Sequence, residues 1–215
     1  LTRDQGIDVP LFTCDQANDE MLESGGLPEL HKTATFGSRT TERLEVLRRH
    51  QPTGPLMCSE FWDGWFDWWG GVHHTTEVVA AASDLDGLLA AGASVNIYMF
   101  HGGTNFGFTN GANDSDTEPY QPDTTSYDYG APLDEAGRPT ANFHALRALI
   151  GEHLPAGERL PGVPPPPPMI AIAPVALDES ALFDGLLGEP VRAVRPLGFE
   201  ELDQAYGFVW YRARV

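Results

Sequence analysis

Short apolar runs and longer helical patterns follow one another along the first two thirds of the chain. Three runs are typical of buried strands: residues 9–14, 55–59 and 94–100. Three stretches carry apolar residues at helical spacing: residues 41–50, 75–91 and 140–153. Gly92 is a natural stop for the second of these helices. Strands that alternate with helices predict an α/β fold of parallel units joined by right-handed crossovers.

The longest predicted loops follow the predicted strands, at residues 15–39, 62–74 and 102–139. Loops that follow parallel strands meet at the carboxyl end of the sheet, where β/α folds place their functional sites. Three strands cannot close a barrel. The pattern therefore predicts either a small open sheet or part of a larger structure.

A run of five prolines at residues 164–168 divides the chain, because polyproline forms a stiff extended spacer. We expect a partial catalytic domain over residues 1–160 and a linker over residues 161–168. Three later stretches resemble strands: residues 170–173, 191–194 and 206–215. Residues 169–215 are therefore predicted to open a β-rich domain.

The chain is strongly acidic, with 31 acidic against 13 basic residues and a formal charge of −18. Such a surface repels phosphate backbones and anionic lipids, so neither nucleic acid nor membrane is an expected partner. No apolar run approaches the ~20 residues of a membrane span. The simplest interpretation of the charge is that it keeps the protein soluble.

Two cysteines, Cys14 and Cys58, lie at the ends of apolar runs, where buried thiols are common. Nothing in their spacing marks a disulfide framework or a zinc site. Adjacent histidines such as His73 and His74 rarely share one metal, so a structural role is favoured for them. The unpaired cysteines and the lack of a visible secretory signal slightly favour the cytoplasm.

Six aromatic residues fall within residues 61–69, including four of the five tryptophans of the chain. A core rarely needs that density, because tryptophan is large and its indole N–H requires a partner. Sugar rings present apolar C–H faces that stack on indoles, and hydroxyl edges that need polar partners. The segment therefore indicates carbohydrate chemistry.

Glu60 directly precedes this aromatic segment and follows the predicted strand 55–59. A carboxylate at the carboxyl end of a parallel strand points into the site of a β/α fold. Glycosidic bonds are cleaved by two carboxylates, and in retaining enzymes one of them is a nucleophile. Glu60 suits the nucleophile role. The alternative is a strand-end carboxylate that caps the next loop.

Further polar candidates lie after the other strands. Asn96 and Tyr98 share one face of their strand and could reach a hydroxylated ligand, or else form satisfied buried hydrogen bonds. The adjacent Gly102 and Gly103 allow the backbone to approach a ligand, although a tight turn explains them equally well. Tyrosine and aspartate alternate at residues 127–129, which suits sugar hydroxyls, whereas a buried structural Asp128 is the alternative.

Taken together, three segments resemble the family-35 glycoside hydrolases, which are retaining β-galactosidases. The segments are residues 59–70 (SEFWDGWFDWWG), 94–107 (SVNIYMFHGGTNFG) and 125–137 (TSYDYGAPLDEAG). The resemblance runs from about residue 6 to residue 154, in order and at the spacing of the family. Residues 204–211 also resemble the start of the β-rich domains of that family.

The resemblance implies a (β/α)8 TIM barrel, of which the three predicted strands would be the last three. It implies that Glu60 is the catalytic nucleophile. Tyr98 matches a tyrosine that contacts the sugar near the nucleophile, and Tyr129 matches one that hydrogen-bonds galactose. Trp65 and Asp128 match positions that line or support the pocket. No metal or organic cofactor is implied.

One departure concerns the second carboxylate. In the family the acid/base glutamate lies in an Asn-Glu-Tyr-Gly segment that precedes the matched part, and no such segment occurs in this chain. We therefore expect a fragment of a β-galactosidase, inactive alone, whose partner is the N-terminal half of the barrel. The alternatives are a galactose-binding fragment without catalysis, a truncated product that misfolds, and β-glucosaminidase-type specificity.

Overall fold

The computed structural model describes residues 2–24 and 26–214, and the chain divides into two compact units. The first unit is Leu1–Asn105 with Asn110–Pro167. The second unit is Phe106–Thr109 with Pro168–Val215.

The first unit is built on a parallel sheet whose four strands lie side by side in chain order. The strands are β1 (Phe12–Gln16), β2 (His31–Phe36), β3 (Met57–Trp62) and β4 (Ser94–Tyr98). A small antiparallel pair, β5 (Ala112–Asn113) and β6 (Gln121–Pro122), lies in the long segment after β4. The predicted α/β class with a parallel sheet is confirmed.

Four α-helices accompany the sheet: α1 (Asp19–Glu23), α2 (Thr40–His50), α3 (Val78–Ala90) and α4 (Ala141–Glu152). The side chain of Asn18 accepts a hydrogen bond from the amide of Met21 and caps α1. Thr140 caps α4 in the same way. Gly92 follows the end of α3 at φ +68°, a conformation that glycine adopts without a steric penalty. The three predicted helices correspond to α2, α3 and α4.

One apolar core joins the sheet to the helices. Phe61 of β3 and Leu85 and Leu88 of α3 are fully buried within it. Burial of each such side chain contributes roughly 1.5–3 kcal/mol to folding. The core therefore fixes the helix-facing side of β3, the strand that carries Glu60.

Strand β2 corrects the prediction that residues 15–39 form a loop, since this segment contains both α1 and β2. Its sequence does not predict a strand by apolar pattern, because most of its residues are polar or charged. Thr33 and Thr35 are nevertheless buried, since their hydroxyl groups find acceptors on neighbouring strands. The sheet therefore has four parallel strands where three were predicted.

The second unit contains two short 3-10 turns, Phe183–Leu186 and Glu200–Leu202. No strand occurs in the described residues 168–214, so the strand predictions for residues 170–173, 191–194 and 206–214 are wrong; residue 215 lies outside the described residues. A strand needs a neighbour to satisfy its backbone groups, and these segments have none within this unit. The division into residues 1–160, 161–168 and 169–215 stays a prediction.

Candidate active site

A β-bulge in β3 positions Glu60. On the β2 side, Ala34 pairs with Cys58 and the next residue, Thr35, pairs with Glu60, which leaves Ser59 as the extra residue. Bulges of this kind redirect the side chains around them. Glu60 lies within β3, two residues before its end, and not after the strand as predicted. The bulge sets the half-buried Glu60 side chain beside the buried Thr35.

One carboxylate oxygen of Glu60 carries all of its side-chain hydrogen bonds. Oε2 lies 2.9 Å from the hydroxyl oxygen of Thr35 and accepts a 3.0 Å bond from the indole Nε1 of Trp62. Among the described residues, Oε1 accepts no hydrogen bond and Glu60 forms no ion pair. The side chain is therefore oriented from one side and is not neutralised by a neighbouring cation.

Asn96 supports the bulge from β4. Its side-chain amide donates a 3.1 Å hydrogen bond to the backbone carbonyl of Ser59, next to Glu60. This bond uses one of the two side-chain N–H donors of Asn96, for which the sequence allowed either a ligand contact or a buried hydrogen bond. A direct contact between Asn96 and a sugar stays a prediction.

Six rings form an aromatic cluster at the carboxyl end of the sheet. The cluster consists of Trp62, Trp65, Phe66, Tyr98, Tyr127 and Tyr129. The centroids of paired rings lie 5.0 to 6.5 Å apart, within the range of favourable aromatic pairs. The structure thus brings together Trp65, Tyr98 and Tyr129, which the sequence placed in three separate segments.

Two tyrosine hydroxyls of this cluster lie close to each other. Tyr98 and Tyr127 approach each other with 3.4 Å between their hydroxyl oxygens. Burial raises the pKa of both Tyr127 and Tyr129 above the ordinary tyrosine value, and the negative charge of Glu60 adds to the increase. Both phenols therefore remain protonated at neutral pH, as hydrogen-bond donors to a ligand must.

Two glycines allow the segment of residues 127–129 to lie against the strand ends. The carbonyl oxygens of Tyr127 and Tyr129 occupy the space that a β-carbon would take at Gly102 and Gly64, respectively. Tyr129 adopts φ 65°, which is uncommon for a residue with a side chain. The glycines therefore explain how both tyrosine rings reach the cluster.

Asp67 binds both histidines of the loop after β3. It accepts a 2.6 Å bond from Nδ1 of His73, a 2.7 Å bond from the His74 amide and a 2.9 Å bond from Nδ1 of His74. Burial acts to raise the pKa of Asp67, but these hydrogen bonds outweigh it and lower the pKa. The hydrogen bond to Asp67 raises the pKa of His73. The favoured structural role of the two histidines fits this arrangement.

Asp128 lies at the edge of the same loop. Its Oδ2 is 3.9 Å from Nε2 of His73, so the imidazole lies between two carboxylates. Asp128 therefore faces the histidine loop, while Tyr127 and Tyr129 on either side of it join the aromatic cluster. A role of Asp128 in lining or supporting the pocket stays a prediction.

Asp63 is an almost fully buried carboxyl group, 1% exposed, behind the cluster. Neither of its oxygens has a hydrogen bond of standard geometry within the described residues. Burial raises the pKa of Asp63 to about 7, against the opposing effect of the backbone amides of Asp63 and Met99. This carboxyl group therefore changes protonation near neutral pH.

A cavity of about 300 Å³ opens beside the aromatic cluster. Trp62, Asp63 and Trp65 line one side of it, and residues of the β2–α2 loop line the other. Glu60 is not among its lining residues. The cavity therefore does not contain Glu60 or the tyrosines, and Tyr129 is itself only 3% exposed within the cluster.

Sequence reasoning missed one residue of this site, Thr35, and noted Tyr127 only as part of the alternating segment 127–129. Thr35 belongs to a segment with threonines at every second position, which is a strand signal that its polar composition obscured. Tyr127 stands two residues before Tyr129, and the two rings stack with 5.6 Å between their centroids.

Comparison with known proteins gives the family. Residues 1–153 match the family described as "Glycosyl hydrolases family 35". The chain belongs to glycosyl hydrolase family 35. The resemblance noted in residues 59–70, 94–107 and 125–137 is thereby confirmed, since all three segments lie within the matched residues.

Relatives of this family-35 chain include mammalian proteins. It is 44% identical to proteins named "Beta-galactosidase" from Mus musculus and from Homo sapiens, over 98% of this chain and 33% and 31% of those proteins. It is 41% identical to "Beta-galactosidase-1-like protein" from Mus musculus, over 96% of this chain and 32% of that protein. The chain spans about a third of the length of these curated relatives.

Two further observations concern possible ligands and surroundings. In residues 2–24 and 26–214, no group of three histidine, cysteine or acidic side chains is arranged to hold a metal ion. No helix in the described part of the chain has both the length and the apolar character needed to cross a membrane.

Proposed function

We propose that the protein containing this chain hydrolyses terminal β-D-galactosyl residues by a retaining double displacement, with Glu60 as the nucleophile. One observation carries the proposal: hydrogen bonds from Thr35 and Trp62 hold one carboxylate oxygen of Glu60, which forms no ion pair with the described residues. Trp62 belongs to a cluster of tryptophans and protonated tyrosines. The similarity to proteins named beta-galactosidase supports galactose as the sugar.

The first step would join a Glu60 oxygen to the anomeric carbon while the bond to the leaving oxygen breaks. An acid carboxyl would give its proton to the leaving oxygen. Water would then attack the anomeric carbon, return a proton to that carboxyl and release Glu60 as a carboxylate. We propose that the acid/base carboxyl comes from another part of the barrel, and that no metal or organic cofactor takes part.

The sugar contacts follow from the positions of the cluster. The hydroxyls of Tyr98 and Tyr129 would hydrogen-bond the galactose, and Trp65, which is 36% exposed, offers its ring face to the sugar. Asn96 would help to position Glu60, because its side-chain amide donates a hydrogen bond to the Ser59 carbonyl at the bulge. Asp128 would support the tyrosine segment through His73.

The four strands would form half of a (β/α)8 barrel. Within the described residues, β1 and β4 have one neighbouring strand each, so both edges can accept further strands. The other half of the barrel is the proposed partner of this chain. The 215-residue chain alone is expected to be inactive, because it contains no Asn-Glu-Tyr-Gly segment to supply the acid/base carboxyl. The four-stranded sheet of the described residues also does not close into a barrel around a sugar.

The test uses a hybrid enzyme, in which this chain replaces the aligned third of the mouse relative. A dinitrophenyl β-galactoside with fluorine at the second ring carbon should transfer its sugar to the nucleophile, because this leaving group needs no acid. Mass spectrometry should find the added sugar on Glu60. The Glu60→Gln hybrid should remain unlabelled, and the Glu118→Gln hybrid, altered at an exposed glutamate, should label normally.

A sugar found on another residue, or labelling that survives in Glu60→Gln, would overturn the proposal. Binding of galactose without any labelling would favour the galactose-binding alternative. Faster hydrolysis of a dinitrophenyl β-glucosaminide than of the matching β-galactoside would favour glucosaminidase-type specificity.

A further inference from the structure

We propose that Thr35 and Trp62 are positioning residues for Glu60, which together hold Oε2 and leave Oε1 as the attacking atom. The inference rests on the proposed function, since it takes Glu60 to be the nucleophile. It assigns Trp62 a task different from that of a sugar-stacking platform. It also assigns a task to Thr35, a residue of the strand that the sequence did not reveal.

The two donors reach the same oxygen from two directions. Thr35 approaches from the neighbouring strand β2, where it pairs with Glu60 across the bulge, and lies 2.9 Å from Oε2. Trp62 approaches from two residues further along β3, on the same side of the strand, and donates at 3.0 Å. Two donors on one oxygen restrict rotation of the carboxylate about its last bond.

The Thr35 hydroxyl has a choice of acceptors. It lies 2.8 Å from the backbone carbonyl of Glu60 and 2.9 Å from the carboxylate oxygen, and it has one proton to donate. A hydrogen bond to a charged oxygen is roughly twice as strong as one to a neutral carbonyl. The proton therefore belongs on the carboxylate whenever Glu60 is ionised.

Trp62 is held in place independently of the substrate. Its ring packs edge-on against Trp65 with 5.7 Å between centroids, and its indole N–H donates to Glu60. An indole whose N–H is occupied in this way cannot also donate to a sugar hydroxyl. Oε1 remains the carboxylate oxygen without a donor among the described residues, so the geometry points to it as the nucleophilic atom.

The first experiment uses the full 215-residue chain labelled with nitrogen-15 in its five tryptophans. The indole N–H signal of Trp62 is identified as the one missing in Trp62→Phe. We expect this signal to move in Glu60→Gln, because the carboxylate oxygen that accepts the indole N–H is then replaced by a neutral amide. The signal of Trp210, a half-exposed ring in the second unit, should not respond and serves as the reference. A Trp62 signal unaffected by Glu60→Gln would overturn the inference.

The second experiment measures the rate of Glu60 labelling in the hybrid enzyme. Thr35→Val keeps the shape of the side chain but removes the donor, and Trp62→Phe keeps an aromatic ring without the indole N–H. Each should slow labelling at saturating reagent about ten- to hundredfold, as expected for loss of a hydrogen bond to a charged group. The reagent concentration for half-maximal labelling should change little. Thr35→Ser should restore the rate, and Trp210→Phe should leave it unchanged.

The outcomes separate this inference from the proposed function. Labelling of Glu60 at the normal rate in both Thr35→Val and Trp62→Phe would overturn the inference and leave the function standing. Labelling of a different residue in the unaltered hybrid would overturn the function itself. A slow Thr35→Val that Thr35→Ser does not restore would mean that Thr35 acts only through packing, and would remove it from the proposal.

Discussion

The backbone carbonyl oxygen of Tyr129 lies against the α-carbon of Gly64, in space that a β-carbon at residue 64 would fill. Tyr127 and Gly102 repeat the relationship at the end of the neighbouring strand. Backbone packing therefore holds Tyr127 and Tyr129 against the strand ends. Their positions depend on the absence of a side chain at residues 64 and 102.

The first prediction concerns Gly64→Ala. The new methyl group must displace the Tyr129 carbonyl, which should cost about 1–3 kcal/mol of unfolding free energy. It should also slow the labelling of Glu60 in the hybrid enzyme, since Tyr129 moves with its backbone. Chemical denaturation of the 215-residue chain and labelling kinetics of the hybrid measure the two effects. Gly162→Ala is the control, because no atom lies within 4 Å of a β-carbon there. Equal behaviour of the two variants would contradict the packing argument.

The second prediction concerns Asp63. Its folded-state pKa of about 7 lies above the ordinary value of 3.8, so the folded protein binds this proton more tightly than the unfolded chain does. Stability should therefore fall as pH rises from about 4 to about 7, by up to about 4 kcal/mol. Asp63→Asn cannot ionise, so its unfolding free energy should lack this fall.

Denaturant titrations of the 215-residue chain at a series of pH values check this. Asp116→Asn, altered at an exposed aspartate, should follow the unaltered chain. If Asp63→Asn shows the same pH dependence as the unaltered chain, then Asp63 is not the group that titrates.

The third prediction concerns His73 and Asp67. Because the folded-state pKa of His73 is raised above 6.5, its contribution to stability is full below about pH 6.5 and is lost as pH rises through the raised value. Asp67 has a lowered pKa, so its contribution is lost only in acid, below its ordinary range. His73→Asn should remove less than about 1 kcal/mol near pH 6, since the ring is largely exposed, and almost nothing well above the raised pKa.

Denaturation curves at acidic and alkaline pH measure this difference for the 215-residue chain. His144→Asn is a matched control, because His144 is exposed and has no carboxylate partner among the described residues. A loss of stability for His73→Asn that is equal at both pH values would point to packing and would contradict the ion-pair explanation.

The fourth prediction concerns the two thiols, both of which are free. Burial raises the pKa of Cys58 to about 12, whereas Cys14 is exposed. A disulfide reagent added to the native 215-residue chain should therefore modify Cys14 quickly and Cys58 only after denaturation, because the thiolate is the reactive form. The native Cys14→Ser variant should show no fast reaction. A fast reaction in that variant would contradict the burial of Cys58.

Much of the fold follows from apolar periodicity. The three helices, the strands around Cys14, Cys58 and Tyr98, and the stop at Gly92 all follow from local patterns. Strand β2 does not, because Thr33 and Thr35 become suitable for a buried strand only when β1 and β3 supply acceptors for their hydroxyls. Those acceptors are distant from β2 in the sequence, so the residues of β2 alone do not reveal them. The apolar stretches after residue 168 show the opposite error, because their sequence predicts strands that the structure does not form. A strand-like sequence is not stable as a strand without a neighbouring strand.

The candidate site shows the same division. Glu60, Trp65, Tyr98 and Tyr129 stand out by residue type and by position in or near the predicted strand ends and loops, and the structure gathers the three rings into one cluster. The bulge at Ser59 cannot be predicted from sequence, yet it decides that Glu60 faces Thr35. The use of the Trp62 N–H likewise depends on the geometry of the strand and not on its composition.

The most direct test of the central claim, that Glu60 is the nucleophile of a retaining galactosidase, is chemical rescue of the Glu60→Gly hybrid by azide. Removal of the carboxylate opens space for azide on the face of the sugar that Glu60 would attack. Azide should then restore cleavage of a dinitrophenyl β-galactoside and give α-galactosyl azide, as identified by the proton coupling at the anomeric carbon. Formation of β-galactosyl azide, or undiminished hydrolysis in Glu60→Gly without azide, would contradict the claim.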